Sequence, residues 1–360
     1  MSEWKKCTLG DVLNLRRGYD LPHSEMIEGN IPVAGSNGVI GTHNIATSIE
    51  PCITVGRSGS AGSTFIYDRA WAHNTTLYID DFKGNDPRYL YYLLLSLPLK
   101  KMAGGSAVPS LNRNHIHPLN ITFPTTLETQ HKIASILSSL DDKIAVNRKI
   151  CENLEAQAQA LFKHWFIDFA PFKDGKFIDS ELGLIPEGWR VGTLGDIAEF
   201  KRGKTITKSD TKEGDIPVVA GGKEPAYYHN QSNTSSRVIT ISGSGANAGY
   251  TRMYYQPVWA SDCSFVDNAS TSFLHAVYCF LLANKKNVDA LQWGAAQPHV
   301  YAKDINKLPL VIAPLEVLSQ FEKFISEMFD SIEVYDKEIL RLSTLRDTLL
   351  PKLMSGQIKV

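Results

Sequence analysis

The 360-residue chain has little of what marks a secreted, membrane-bound or catalytic protein. Its five cysteines, Cys7, Cys52, Cys151, Cys263 and Cys279, form no CxxC pair. That argues against a disulfide framework or a zinc site and fits a reducing cytoplasm. No apolar run reaches the length of a bilayer span. The opening "MSEWKKCTLG" lacks the apolar core of a secretion signal, so a cytoplasmic protein without membrane attachment is expected. Charge of one sign is not in excess either: 37 Lys and Arg face 38 Asp and Glu, a net −1. A general nucleic-acid binder usually carries a basic excess. Any grip on a polyanion therefore has to come from local clustering or from a partner. The slight positive balance sits in two large stretches, +1 over residues 1–125 and +3 over residues 190–313.

Catalytic signatures are missing as well. There is no Walker A motif, no HExxH and no G-x-S-x-G. A strand–glycine–helix site for S-adenosylmethionine is absent, as is the Asn/Asp-Pro-Pro-aromatic motif of amino-methyl transfer. "SGSGANAG" at 242–249 is glycine-rich but leads into the β-like run "YTRMYY", whereas a nucleotide loop opens onto a helix N-terminus. His73, His115 and His117 are dispersed and read as surface or core residues. No catalytic residue and no metal site is expected.

What the chain does have is a duplication. "TLGD" stands at Thr8–Asp11 and again at Thr193–Asp196, 185 residues apart. The register continues. "GNIPVAGSNG" (29–38) matches "GDIPVVAGGK" (214–223), and "CITVGRSGSAG" (52–62) matches "VITISGSGANAG" (238–249). "RAWAHNTTLYI" (69–79) matches "PVWASDCSFVD" (257–267), and "AVPSLNRNHIHPLNITFP" (107–124) matches "AQPHVYAKDINKLPLVIAP" (296–314). This is one large unit copied once, not a solenoid of short repeats. Each copy begins with short β-like runs punctuated by Gly, Ser, Asn and Pro and then turns helical, in "DPRYLYYLLLSLPLKKMA" and "TSFLHAVYCFLLANKKNVDAL".

A long helix closes each copy. In the first, Ile133, Leu137, Leu140, Ile144, Asn147, Cys151, Leu154, Ala158, Leu161 and Trp165 step by four and three, an a/d heptad seam. In the second the seam is Phe321, Ile325, Met328, Ile332, Tyr335, Ile339, Leu342, Arg346, Leu349 and Leu353. Such a seam needs a partner helix, and the other copy is the obvious one. Asn147 within it sets register or lies at a wet edge. Pro351 should end or kink the second helix near its last turn. Residues 133–165 would extend roughly 50 Å as a helix. Antiparallel pairing would put two heads at opposite ends, related by a pseudo-twofold. The expected fold is α+β: a mixed head over 1–126, a central spacer helix over 127–168, a linker over 169–189, a second head over 190–314 and a C-terminal spacer helix over 315–360.

At this point the chain resembles the specificity (S) subunit of type I restriction–modification enzymes, over essentially its full length. The residues that carry the resemblance are "EWKKCTLGDV" and "PEGWRVGTLGDI" at the head of each copy, and "GLIPEGW" at 183–189. "LETQHKIASILSSLDDKI" (127–144) and "LFKHWFIDFAPF" (161–172) bracket the first helix, and "LRDTLLPKLMSGQI" (345–358) ends the second. The second helix departs from the first: "LEVLSQFEKFI" lacks the "TQHKIA" pattern, and Arg346 stands where the first copy has Ala158. The resemblance implies two target recognition domains, each reading half of a bipartite double-stranded DNA site in a bacterial or archaeal defence system. It implies helices that space the heads and dock two methyltransferase subunits, with motor-nuclease subunits joining. S-adenosylmethionine, ATP and Mg would belong to those partners, leaving this chain non-catalytic and without a cofactor.

Base readout needs Arg, Lys, Asn, Gln, Ser or Thr on loops and helix ends. In the first head the candidates are Arg16 and Arg17, Arg57 with Ser58 and Ser60, and Asn112, Arg113 and Asn114 of "SLNRNH". In the second they are Lys201, Arg202, Lys204 and Lys208 of "KRGKTITK", Ser242, Ser244 and Asn247 of the glycine-rich loop, and Gln297, His299, Tyr301 and Lys303. Solvated strand ends, plain hairpin turns and a local cap at Asn112 are the competing readings of these groups. Trp71 and Trp259 recur at matching positions and read as core. Two other functions compete: a fused methyltransferase or nuclease, and a tandem scaffold or carbohydrate-binding module, which would need exposed tryptophans.

Overall fold

A computed structural model of the chain describes residues 4–104, 110–294 and 297–360; Ala107–Pro109 and Ala296, at the start of the last repeated segment, lie outside them. The sequence duplication is a duplication of topology. In the first copy Trp4–Thr8 pairs antiparallel with Asn120–Pro124, and in the second Arg190–Thr193 pairs with Pro309–Ile312. A four-stranded sheet in the order Asn14–Arg17, Thr76–Asp81, Cys52–Gly56, Thr64–Tyr67 is matched by Lys201–Arg202, Cys263–Asp267, Val238–Ser242, Thr251–Tyr254. A three-stranded sheet, Gly38–His43, Ile31–Gly35, Trp71–Ala72, is matched by Tyr227–His229, Ile216–Val219, Trp259–Ala260. Cys52–Gly56 and Val238–Ser242 are buried along their whole length, which suits apolar strands at the centre of a sheet covered on both faces.

The helix Pro87–Ser96 starts where Asp86 Oδ1 accepts the Tyr89 N–H at 2.6 Å and Pro87 presets the first turn. Its counterpart, Leu274–Ala283, is buried over almost its entire surface. "TLGD" is a capping box in both copies. Asp11 Oδ2 accepts from the backbone and hydroxyl of Thr8 at 2.8 and 2.7 Å, and Asp196 Oδ2 accepts the Thr193 N–H at 2.9 Å. Leu9 and Leu194 between them are fully buried.

Two helices of 40 residues, Leu127–Phe166 and Leu315–Met354, complete the copies. The chain divides into two units, residues 1–146 with 338–360 and residues 147–337, so each long helix contributes to both. In the first unit the helical segments run antiparallel: Lys143 pairs with Glu338, Asp141 with Arg346, and Ile133 and Leu137 share a core with Leu353 and Met354. The second unit has the same sense, with the Cys151 thiol facing the Ile332 carbonyl and Trp165 packed on Phe321. Every seam position named above is buried or half-buried, and Asn147 is fully buried rather than at a wet edge.

The C-terminal helix ends at Met354, three residues past the exposed Pro351, so the proline sits in its last turn as expected. Two local features differ from the sequence expectation. The central helix ends at Phe166. The segment read as a linker carries the turn Ala170–Phe172 and a hairpin of Phe177–Ser180 with Gly183–Pro186. It is held by rings: Phe172 and Phe169 lie 5.0 and 5.4 Å from Trp189, which also meets Phe166.

Candidate nucleic-acid interface

In the first unit three distant segments meet. The strand end carrying Arg16 and Arg17 comes first. The second is the turn that follows Cys52–Gly56: Arg57 O accepts the Leu111 N–H at 2.8 Å, and Ser58 pairs with Ser110. The third is the one-turn helix Arg113–Ile116, where Arg113 Nη1 donates to Leu15 O at 3.4 Å. His117 locks this helix to the strand, its Nε2 accepting the Leu15 N–H at 3.0 Å. Burial, reinforced by the charges of Arg113 and Lys83, lowers the His117 pKa, which suits a neutral ring that accepts. Asn306 holds the same post in the second unit, accepting the Phe200 N–H at 2.8 Å and donating to Phe200 O at 3.0 Å.

Glycine in "RRG" and "KRG" has a packing cause. A side chain on Gly18 would collide with the Ala72 and His73 carbonyls, and one on Gly203 with those of Ala260 and Ser261. The exposed Arg16 sits 5.7 Å from the ring centre of Tyr19, and Arg17 lies 3.8 Å from Asp20. Arg57 reaches the Asn74 carbonyl at 3.4 Å, and the Asn74 amide donates to Asp20. These contacts are long or exposed, so the guanidinium groups retain donors for a ligand. Asn112 caps the one-turn helix, its Oδ1 accepting the Asn114 N–H at 2.9 Å, while Asn114 is exposed and Ser60 belongs to the turn closed by Ser63.

The second unit builds the same frame with other side chains. Lys201 and Arg202 are exposed on the strand end, and Lys204 N donates to Ala260 O at 2.9 Å. Ser244 pairs with His299, and its hydroxyl donates to the Asp262 carboxylate. His299 and Tyr301 stack, and Lys303 Nζ lies 5.6 Å from the Tyr301 ring centre. Gln297 is exposed, and the Gly245 N–H donates to Pro298 O at 3.0 Å, tying the turn that bears Asn247 to this segment. Two candidates do not join the group. Ser242 is buried, and its hydroxyl donates to Gly221 O at 2.9 Å; as the last residue of a central strand it faces the protein. Lys208 lies on a separate exposed turn, Lys208–Asp210, with its own capping box.

Three residues outside the sequence candidates touch them. Tyr19 lies under Arg16, Asp262 lies beside Ser244, and Trp293, 65% exposed, pairs with His299. Asp262 was legible as the counterpart of Asn74 three residues past the paired tryptophans. Those tryptophans are packed, not presented: Trp71 meets His43 edge-on, and Trp259 meets His229 while donating from Nε1 to Lys204 O at 2.8 Å. Among the described residues no cluster of His, Cys, Asp and Glu is arranged to hold a metal ion, and no helix is long and apolar enough to cross a membrane.

Comparison with known proteins matches residues 1–156 and 186–342 to the model of the type I restriction modification DNA specificity domain. The MjaIX specificity subunit of Methanocaldococcus jannaschii is 31% identical over 299 residues, 76% of this chain and 69% of that protein. The HindI specificity subunit of Haemophilus influenzae is 25% identical over 362 residues, 76% of this chain and 77% of that protein. A crystal structure of a type I restriction–modification S subunit from M. genitalium shares the fold, with a TM-score of 0.59 at 21% identity over 98% of this chain and 96% of that one.

Proposed function

This chain belongs to the type I restriction–modification DNA specificity family, and on that premise we propose that it directs methyltransferase and motor-nuclease subunits to a bipartite site on double-stranded DNA. Each unit reads one half of the site. The chain itself carries out no chemistry; S-adenosylmethionine, ATP and Mg are held by the partners. One observation carries the reading. The same frame, a basic strand end, a turn and a one-turn helix (Arg113–Ile116 and Ala302–Ile305), occurs in both units with different exposed or half-buried side chains: Arg16, Arg17, Arg57 and Arg113 in one, Lys201, Arg202, Ser244, His299 and Tyr301 in the other. A common scaffold with changed polar groups is what reading two unlike half-sites requires. Arg16, Arg17 and Lys201 of the strand ends hold phosphates, while Arg202, the turn and the one-turn helix reach base edges. The near-neutral net charge then leaves much of the phosphate grip to the partners.

The long helices dock two methyltransferase subunits. Large apolar side chains are exposed on both helices, Ile136 and Val146 on the first and Phe324, Val334 and Leu340 on the second. The test is single-molecule methylome sequencing of cells that make the cognate methyltransferase with and without this chain. A split, gapped adenine-methylation motif that depends on the chain is expected. An unchanged methylome, with both proteins soluble and associated, refutes the role.

A further inference from the structure

Position by position, the two units offer different chemistry on the shared frame. Arg57 is matched by Gly243, Arg113 by Ala302 and Asn74 by Asp262. Where the first unit presents two guanidinium groups and an amide, the second presents a carboxylate. Asp262 is half-buried, takes the Ser244 hydroxyl on one oxygen, and lines a recess of about 180 Å³ with Arg202, Gly243, His299 and Tyr301. Among the described residues its carboxylate makes no ion pair. A negative group on a face that carries Lys201 and Arg202 repels phosphates and lowers general affinity for DNA. What such a group adds to DNA binding is discrimination between sequences.

A carboxylate accepts hydrogen bonds and donates none. In the major groove the base donors are the amino groups of cytosine and adenine. Adenine's stands between two acceptors, its own N7 and the O4 of the paired thymine, which repel the second carboxylate oxygen, whereas cytosine's has an acceptor, O6 of the paired guanine, on one side only. Arg202, on the rim of the same recess, supplies donors that suit O6 and N7 of the guanine in that pair.

We propose that Asp262, oriented by Ser244, is a specificity-determining residue of the second unit that reads the amino group of a cytosine, with Arg202 on the paired guanine. This rests on the DNA-reading role above. The experiment maps methylation motifs in cells making the cognate methyltransferase with the wild-type full-length chain, Asp262→Asn or Ser244→Ala. Asp262→Asn is expected to relax the cytosine requirement at one position of one half-site by roughly tenfold or more, shifting it toward adenine, and to leave the other half intact. An unchanged motif overturns the proposal. So does equal weakening of both halves in a variant whose thermal unfolding matches wild type. Should Asp262→Asn fail to fold, Ser244→Ala decides: it relaxes the same single position, or the proposal falls. A wild-type chain that confers no motif at all removes the DNA-reading role, and this proposal with it.

Discussion

Arg346 occupies a seam position where the first copy has alanine, and the structure supplies its reason. Arg346 Nη1 donates to Asp141 Oδ1 at 2.6 Å, Asp141 Oδ2 accepts the Tyr92 hydroxyl at 2.7 Å, and Arg346 also holds Asp347 at 2.8 Å. One carboxylate thus ties the helix Pro87–Ser96 to both long helices inside the first unit. The Arg346 and Asp141 side chains are 29% and 27% exposed. Breaking a buried pair from one side costs about 3–5 kcal/mol, because the remaining charge is left without a partner. Partial solvent access and the Asp347 contact discount this, so Asp141→Ala should cost about 2 kcal/mol. Arg346→Ala should cost less, since Asp141 keeps the Tyr92 hydroxyl. The double variant should be less destabilised than the sum of the two, by about 1 kcal/mol. Urea unfolding of the four proteins gives the cycle. Hydrogen exchange locates it: faster exchange is expected in peptides covering 127–146 and 338–354, and none in 190–313. Strict additivity, or an Asp141→Ala midpoint equal to wild type, would refute the account.

Two further predictions follow from the frame. Gly203→Ala should drive the Lys201–Arg202 strand off the Ala260 and Ser261 carbonyls, lowering stability by more than the ~1 kcal/mol an ordinary strand substitution moves and impairing one half-site; a variant that melts like wild type and keeps both half-sites contradicts the packing argument. The His117 pKa is lowered on folding, so its contribution is fully present above the ordinary histidine value of about 6.5 and is lost as pH falls through the lowered folded value. The stability gap between wild type and His117→Leu, read from urea midpoints, should therefore narrow on acidification; a constant gap would mean that the Leu15 N–H contact is not what His117 supplies.

Much of the architecture was written in periodic signals. The four-and-three spacing from Ile133 to Trp165 and from Phe321 to Leu353 marks the residues that face inward, because a helix cannot bury that stripe without a partner. "TLGD" was the most visible repeat and is structural: it caps a turn and seats a leucine. The interface was less legible. Ser242 and Ser244 look alike in "SGSG", yet one faces the Gly221 carbonyl and the other Asp262. The ring contacts of Phe169, Phe172 and Trp189 turn a linker-like stretch into ordered structure, and nothing in the spacing of those residues announces it.

By itself the sequence determined the duplication, the α+β class and the long paired helices. Each depends on local periodicity and on register between copies, which can be counted along the chain. Only the tertiary structure decided which polar groups stand together. Leu15 meets His117 and Phe200 meets Asn306 across more than a hundred residues, and Ser244 reaches Asp262 from a neighbouring strand end. Such contacts depend on how strands and turns pack in three dimensions, and a residue's neighbours in the chain carry no record of them.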